Sequence, residues 1–171
     1  ERRVITSIKI KNDKNYSYKE FPKININSIE SLSLEDAKKE LCTRGLWPMI
    51  RQKPYDIIPS LSITPKSIFI NFCSSGPLSP NKNLLCNDKD AFLAGLHILG
   101  VISSKKVHLV CNEQTFSSNL LIPDWVERHK FTGPHPSGNT GIHVHHIDPI
   151  DSPESPIFYL SAEDVQAIGK T

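Results

Sequence analysis

The sequence predicts an α/β fold built on a parallel sheet, and three stretches carry that expectation. Residues 66–73 read KSIFINFC, a continuous apolar run that suits a strand buried on both faces. Residues 88–99 place Ala91, Phe92, Leu93, Ala94, Leu96, Ile98 and Leu99 around most of a helix circumference, so that helix is largely buried. Residues 106–111 form a second short strand rich in Val and Leu. Strand, helix and strand at this spacing make a parallel βαβ unit. Sheets of this kind bind ligands beyond the carboxyl ends of their strands. Here those ends are residues 73–80 and 111–115.

The remaining elements follow in chain order. Residues 4–10 read as a strand, with Val4, Ile8 and Ile10 apolar between Arg3, Lys9 and Lys11. Asn12-Asp13-Lys14-Asn15 is a polar turn, and residues 22–33 are irregular. A helix is expected over 34–44. Ser33 is its N-cap, with Asp36 at the capping-box spacing, and Leu34, Ala37, Leu41 and Cys42 share one face. Gly45 closes it at C′. Pro48, Pro54, Pro59 and Pro65 then make 46–65 an ordered loop. Gly100 is expected to end the second helix. Residues 142–147 alternate apolar and polar, which predicts a strand. Residues 156–160 predict another. A last helix starts at Ser161, with Asp164 at its third position, and runs to 168.

Composition limits the function classes. The chain has 171 residues, 38% hydrophobic and 22% charged, enough for one packed domain. A net charge of +2 without a Lys/Arg cluster gives no reason to invoke nucleic acid. No apolar run is long enough to span a bilayer. The amino terminus, Glu1-Arg2-Arg3-Val4, lacks a methionine and an apolar signal region, so the chain is expected to be part of a longer one. Cys42, Cys73, Cys86 and Cys111 show no CxxC spacing. Cys42, Cys73 and Cys111 sit in apolar runs and are expected to be reduced and structural. Neither a dinucleotide GxGxxG nor a P-loop is present.

Residues 131–150, FTGPHPSGNTGIHVHHIDPI, are the most distinctive stretch. They hold four histidines, three glycines and three prolines. On a strand, His143 and His145 would share one face, opposite Ile142, Val144 and His146. Two such imidazoles can chelate a metal, with His135 and Asp148 the nearest further ligands. The same histidines could handle protons for a quinone. In the third reading they hydrogen-bond loop carbonyls while glycine and proline shape the turns.

The run from Gly133 to Pro149 closely resembles the GPHPAG…GTHIHF…P signature of the NqrA family, one subunit family of the bacterial sodium-translocating NADH:quinone reductase. Arg2-Arg3-Val4 resembles that family's ARRV. Gly45-Leu46-Trp47, with Arg51 and Pro54, resembles its GLW…R..P segment. Residues 64–69 resemble TPSAIF, and residues 164–170 resemble DV.AIGK. The resemblance is collinear over nearly the whole chain.

It implies a Rossmann-like α/β domain at 31–171, related to the FMN-binding domain of the complex I flavin subunit and to its counterpart in the Rnf complex. Residues 1–30 would then end a preceding small β domain and link it. Those relatives cradle FMN with a GxGGxGFP loop; here the place reads Gly45-Leu46-Trp47-Pro48. Their acidic cofactor loop reads Asn71-Phe72-Cys73-Ser74-Ser75-Gly76-Pro77 and lacks an acid. The resemblance therefore implies a scaffold that binds no flavin and no metal, in a complex that uses NADH, ubiquinone, flavins and iron–sulfur centres. It further implies a peripheral subunit on the cytoplasmic side of the bacterial inner membrane, with the other subunits as partners and no membrane span. No residue is assigned to bond-making chemistry. Trp47, Phe72, His143 and His145 are the candidates for quinone contact. A flavin- or metal-binding redox domain and a pure assembly module are the competing readings.

Overall fold

A computed structural model describes residues 7–11, 20–21, 26–29, 31–73, 88–113 and 121–170. Its centre is a five-stranded sheet in the order β1-β5-β2-β3-β4: β1 (Arg51–Lys53), β2 (Ile68–Phe72), β3 (Val107–Cys111), β4 (Val126–Lys130) and β5 (Ile157–Ser161). β5, β2, β3 and β4 run parallel, and β1 pairs antiparallel with β5. Five helices accompany it among the described residues: α1 (Ile26–Ile29), α2 (Leu34–Thr43), α3 (Lys89–Ile102), α4 (Thr140–Ile147) and α5 (Ala162–Gly169).

The pleat sorts the strand residues into two faces. Ile68, Ile70 and Phe72 of β2, Val107, Leu109 and Cys111 of β3, and Phe158 and Leu160 of β5 join Leu96, Leu99 and Ile102 of α3 and Val165 and Ile168 of α5. Phe69, Val110 and Ile157 face the other way, with Cys73, and meet Val144 of α4. Each of these large side chains contributes roughly 1.5–3 kcal/mol on burial. The βαβ unit therefore stands as expected, and so do the caps. Ser33 accepts from the Asp36 amide. Asp88 also caps α3, through the Ala91 amide, a cap the sequence reading did not assign. Ser161 and Asp164 make a reciprocal capping box on α5. Gly45 takes φ +73 after α2.

Several expectations are corrected. Residues 142–147 are the body of helix α4, not a strand. Thr140, His143, Val144 and Ile147 lie at i, i+3, i+4 and i+7, and that stripe faces the sheet. A window opening at Ile142 hides Thr140 and leaves a false period of two. Helix α3 passes Gly100 and ends at Ile102, because Gly100 makes room for Trp125: a Cβ there would lie 2.6 Å from the indole. Within the proline-punctuated segment, Trp47–Met49 form a 3-10 turn and β1 pairs with β5. The Trp47 Nε1–H donates to the Pro59 carbonyl at 2.8 Å, and buried Lys38 donates to the Leu61 and Ile63 carbonyls at 2.7 and 2.8 Å. These bonds supply the donors a proline-rich segment lacks.

The short helix α1 sits where an irregular segment was expected. Strand β4 has no counterpart in the sequence reading. It is an edge strand whose residues after Val126 are polar, so hydrophobic patterning misses it. Residues 7–10 of the expected first strand form no strand, and Ile8 and Ile10 are exposed without a sheet partner among the described residues. The rest of that segment, like Cys86, lies outside the described residues. Cys42 is exposed, not a core residue, whereas Cys73 and Cys111 are buried.

Helices α3 and α5 touch backbone to backbone. A Cβ on Gly95 would lie 2.1 Å from the Val165 carbonyl oxygen, and one on Gly169 would lie 1.7 Å from that of Ala91. Gly95→Ala is expected to cost about 1–3 kcal/mol by forcing the helices apart. Gly141→Ala, in α4 with nothing within 4 Å, is expected to be neutral or to gain up to about 1 kcal/mol. Urea denaturation of both variants tests the contact; equal stability of Gly95→Ala and the parent would contradict it.

Candidate functional site

The glycine- and proline-rich loop that precedes α4 stands at the carboxyl ends of the parallel strands. Gly133 supplies φ +144, which a side chain rarely adopts. The Ser137 hydroxyl donates to the Gly133 carbonyl at 2.8 Å, and the Ser137 and Asn139 amides close turns on Pro134 and Pro136. Two side chains pin this loop to the sheet. Asn71, the one polar residue of β2, donates through Nδ2 to the Gly138 carbonyl at 2.9 Å and to the Thr140 hydroxyl at 3.2 Å. His143, fully buried, donates through Nε2 to the Ser137 carbonyl at 2.7 Å. A carbonyl only accepts, so this bond puts the imidazole proton on Nε2. Nδ1 is left buried without a partner. The Phe131 ring packs on the imidazole at 4.8 Å.

The far end of α4 is held by charge. Asp148 takes the Lys66 ammonium at 2.6 Å and the Ser67 hydroxyl at 2.7 Å, and Lys66 also reaches the Pro149 carbonyl and Asp151. Burial works against the Asp148 carboxylate, but the bonds from Lys66 and Ser67 outweigh it and hold its pKa below the usual value. The Lys66 pKa is raised, chiefly by the hydrogen bond to Asp148. Helix α4 is thus clamped along β2, by Asn71 near one end of the strand and by Lys66 and Ser67 at the other.

Between this loop and the strand ends lies a cleft of about 390 Å³. Cys73 follows β2, Asn112 and Glu113 follow β3, Phe131 and Thr132 follow β4, and His135 looks in from the loop. Lys130 pairs with Glu113 at 2.5 Å on the rim. This is the volume range of small-molecule sites, with one aromatic wall and several polar groups. It stands where the sequence placed ligand binding, beyond the carboxyl ends of β2 and β3. Residues 74–87 and 114–120, which follow those ends, lie outside the described residues.

The candidate residues do not converge. Trp47 is buried on the α3 face, edge-on to Phe158 at a centroid distance of 6.2 Å. Phe72 is buried on the same face against Phe92. His143 is buried on the opposite side of the sheet, and His145 is exposed on α4. The shared face expected for His143 and His145 is lost because a helix turns residues i and i+2 apart. His135 borders the cleft and Asp148 is engaged with Lys66, so the suggested metal set of His143, His145, His135 and Asp148 does not assemble. Asn71, Phe131 and Thr132 were missed. Asn71 could have been flagged as a lone polar residue in a doubly buried strand.

A different trio does converge. His108 of β3 and Glu127 and His129 of β4 stand on the sheet face that α4 covers. Burial lowers the His108 pKa, Glu127 opposing; burial, then His108, lowers that of His129.

Comparison with known proteins follows this geometry. Residues 32–171 match the family model described as NqrA second alpha/beta domain. The NqrA subunit of the Na(+)-translocating NADH-quinone reductase of Histophilus somni (strain 2336) is 33% identical over 170 residues, covering 99% of this chain and 37% of that protein. The corresponding subunits of Mannheimia succiniciproducens and Saccharophagus degradans are each 35% identical over 99% of this chain, which covers 37% and 38% of their lengths. The chain spans little more than a third of the length of the curated relatives it matches.

His108, His129 and His143 are held neutral by burial, with pKa values below 6.5. The unfolded chain binds protons to them first, so stability is expected to fall as pH drops from 7 through 6.5 toward the folded values. His143→Phe is expected to cost about 1–3 kcal/mol, because the Ser137 carbonyl loses its donor. It should also flatten that pH slope. Urea midpoints between pH 5 and pH 8 measure both, and a parent midpoint that rises on acidification would contradict the assignment.

Proposed function

As the chain belongs to the NqrA family, matching its second α/β domain, we propose that it serves as part of the NqrA subunit of a sodium-translocating NADH:quinone reductase. Such a complex passes electrons from NADH to ubiquinone and exports Na⁺ from cytoplasm to periplasm. In this reading the chain sits on the cytoplasmic side of the bacterial inner membrane, held by the other subunits. No helix among the described residues is long and apolar enough to cross a membrane. Its own share is quinone contact and assembly, and NADH oxidation and the flavin and iron–sulfur centres belong to partner subunits.

The observation that carries the quinone reading is the cleft at the strand ends. A quinone headgroup is a flat ring with two carbonyl acceptors, and it needs a flat apolar wall with a few donors. Phe131 offers the wall, and the Thr132 hydroxyl offers a donor group on the cleft lining. Among Trp47, Phe72, His143 and His145, only His145 is exposed to an arriving ligand. Trp47 and Phe72 contribute by building the core, and His143 by holding the loop wall through Ser137. The chain's own residues therefore bind and orient; none is assigned a proton or electron transfer.

The reading without flavin rests on the turn after α2. There Leu46 and Trp47 are buried, and the indole bonds to Pro59. Bulky side chains fill the place where glycines would let backbone amides approach a phosphate. The kinship with the FMN-binding domain of the complex I flavin subunit belongs to the same proposal: a shared scaffold without the cofactor.

Thr132→Trp, which fills the cleft from an exposed position, is expected to raise the KM for ubiquinone of the intact complex at least about ten-fold. NADH oxidation with an artificial acceptor should stay at the parental rate. An unchanged KM for ubiquinone would remove quinone from this cleft and leave assembly as the role. Acid extraction of the purified chain is expected to release no flavin fluorescence.

A further inference from the structure

We propose that His108, Glu127 and His129 form a divalent transition-metal site of the zinc class on the β3–β4 edge of the sheet. Their donor atoms already make a compact triangle. His108 Nδ1 lies 3.1 Å from His129 Nε2 and 3.4 Å from Glu127 Oε2, and His129 Nε2 lies 3.7 Å from the same carboxylate oxygen. A point equidistant from the three lies about 2 Å from each, the usual zinc–nitrogen and zinc–oxygen length.

The fold provides the rigidity such a site requires. His108 pairs with Glu127 in the β3–β4 register, and His129 follows at i+2 on the same face of β4. Ring packing of Phe69 on His108 at 4.8 Å fixes the first imidazole. Both histidines are partly withdrawn from water, while the Glu127 side chain is 69% exposed. An ion would therefore keep a coordination position open to solvent, as three-ligand sites do. The ligand set of two imidazoles and one carboxylate suits Zn²⁺, Co²⁺ or Fe²⁺ in preference to Mg²⁺ or Ca²⁺.

Without an ion the two facing ring nitrogens share one proton, since each neutral imidazole carries only one N–H. Metal binding needs both nitrogens bare. The donating histidine then carries its proton on its other ring nitrogen. Among the described residues the negative charge of Asp148 also acts on His108 and favours a cation there.

The test is calorimetric titration of the full chain with Zn²⁺, paired with the visible ligand-field spectrum of Co²⁺. One ion per chain with a distorted, low-symmetry cobalt band is expected. Glu127→Gln, at an exposed position, is expected to weaken binding at least about ten-fold, and His129→Asn to abolish it. The double variant His145→Asn/His146→Asn, which removes two exposed imidazoles of α4, should bind as the parent does. Circular dichroism of each variant separates lost ligands from lost fold. Less than one ion per two chains, or binding that survives both Glu127→Gln and His129→Asn, would overturn the site.

Discussion

Two central strands whose backs and fronts are both apolar set the terms for the rest of this structure. β2 and β3 are buried along almost their whole length, so each face of the sheet must be covered. On one face α3 and α5 do this with direct backbone contact, which only glycine permits at Gly95 and Gly169. On the other face the cover is the short helix α4. The histidine-rich stretch is that helix, and its buried stripe closes over Phe69, Cys73, Val110 and Ile157.

Helix α4 is eight residues long, and among the described residues it packs over Phe69, Cys73, Val110 and Ile157. Its two ends are tied to the two ends of β2, by Asn71 on one side and by Lys66 and Ser67 on the other. Those ties hold the loop from Gly133 to Asn139 upright at the carboxyl ends of the strands, and the cleft is the space left beneath it. Toward the β4 edge the same face carries His108, Glu127 and His129, where a polar cluster replaces apolar packing.

Burial also decides the chemistry of the histidines. His143 is fully buried and donates to a carbonyl, and burial lowers its pKa, so it remains neutral and serves as a peg. His145 and His146, on the outer side of the same helix, are exposed. Identical residue types two positions apart therefore have different roles, and the difference lies in which side of α4 meets the sheet.

The sequence by itself determined the βαβ core, the caps at Ser33 and Ser161, the C′ glycine after α2 and the family. Each of these is written in local patterns, namely runs of apolar residues, short-range hydrogen-bonding spacings and a collinear signature. Only the tertiary structure decided that 140–147 is a helix, that Val126–Lys130 is a strand, and which histidines meet. A period of two and a period near 3.6 cannot be told apart over six residues, and an edge strand needs no apolar pattern to pair. His108 and His129 are 21 residues apart in the chain, and they touch because parallel pairing of β3 and β4 sets their register. Contacts of that kind belong to the sheet and are invisible to any local window.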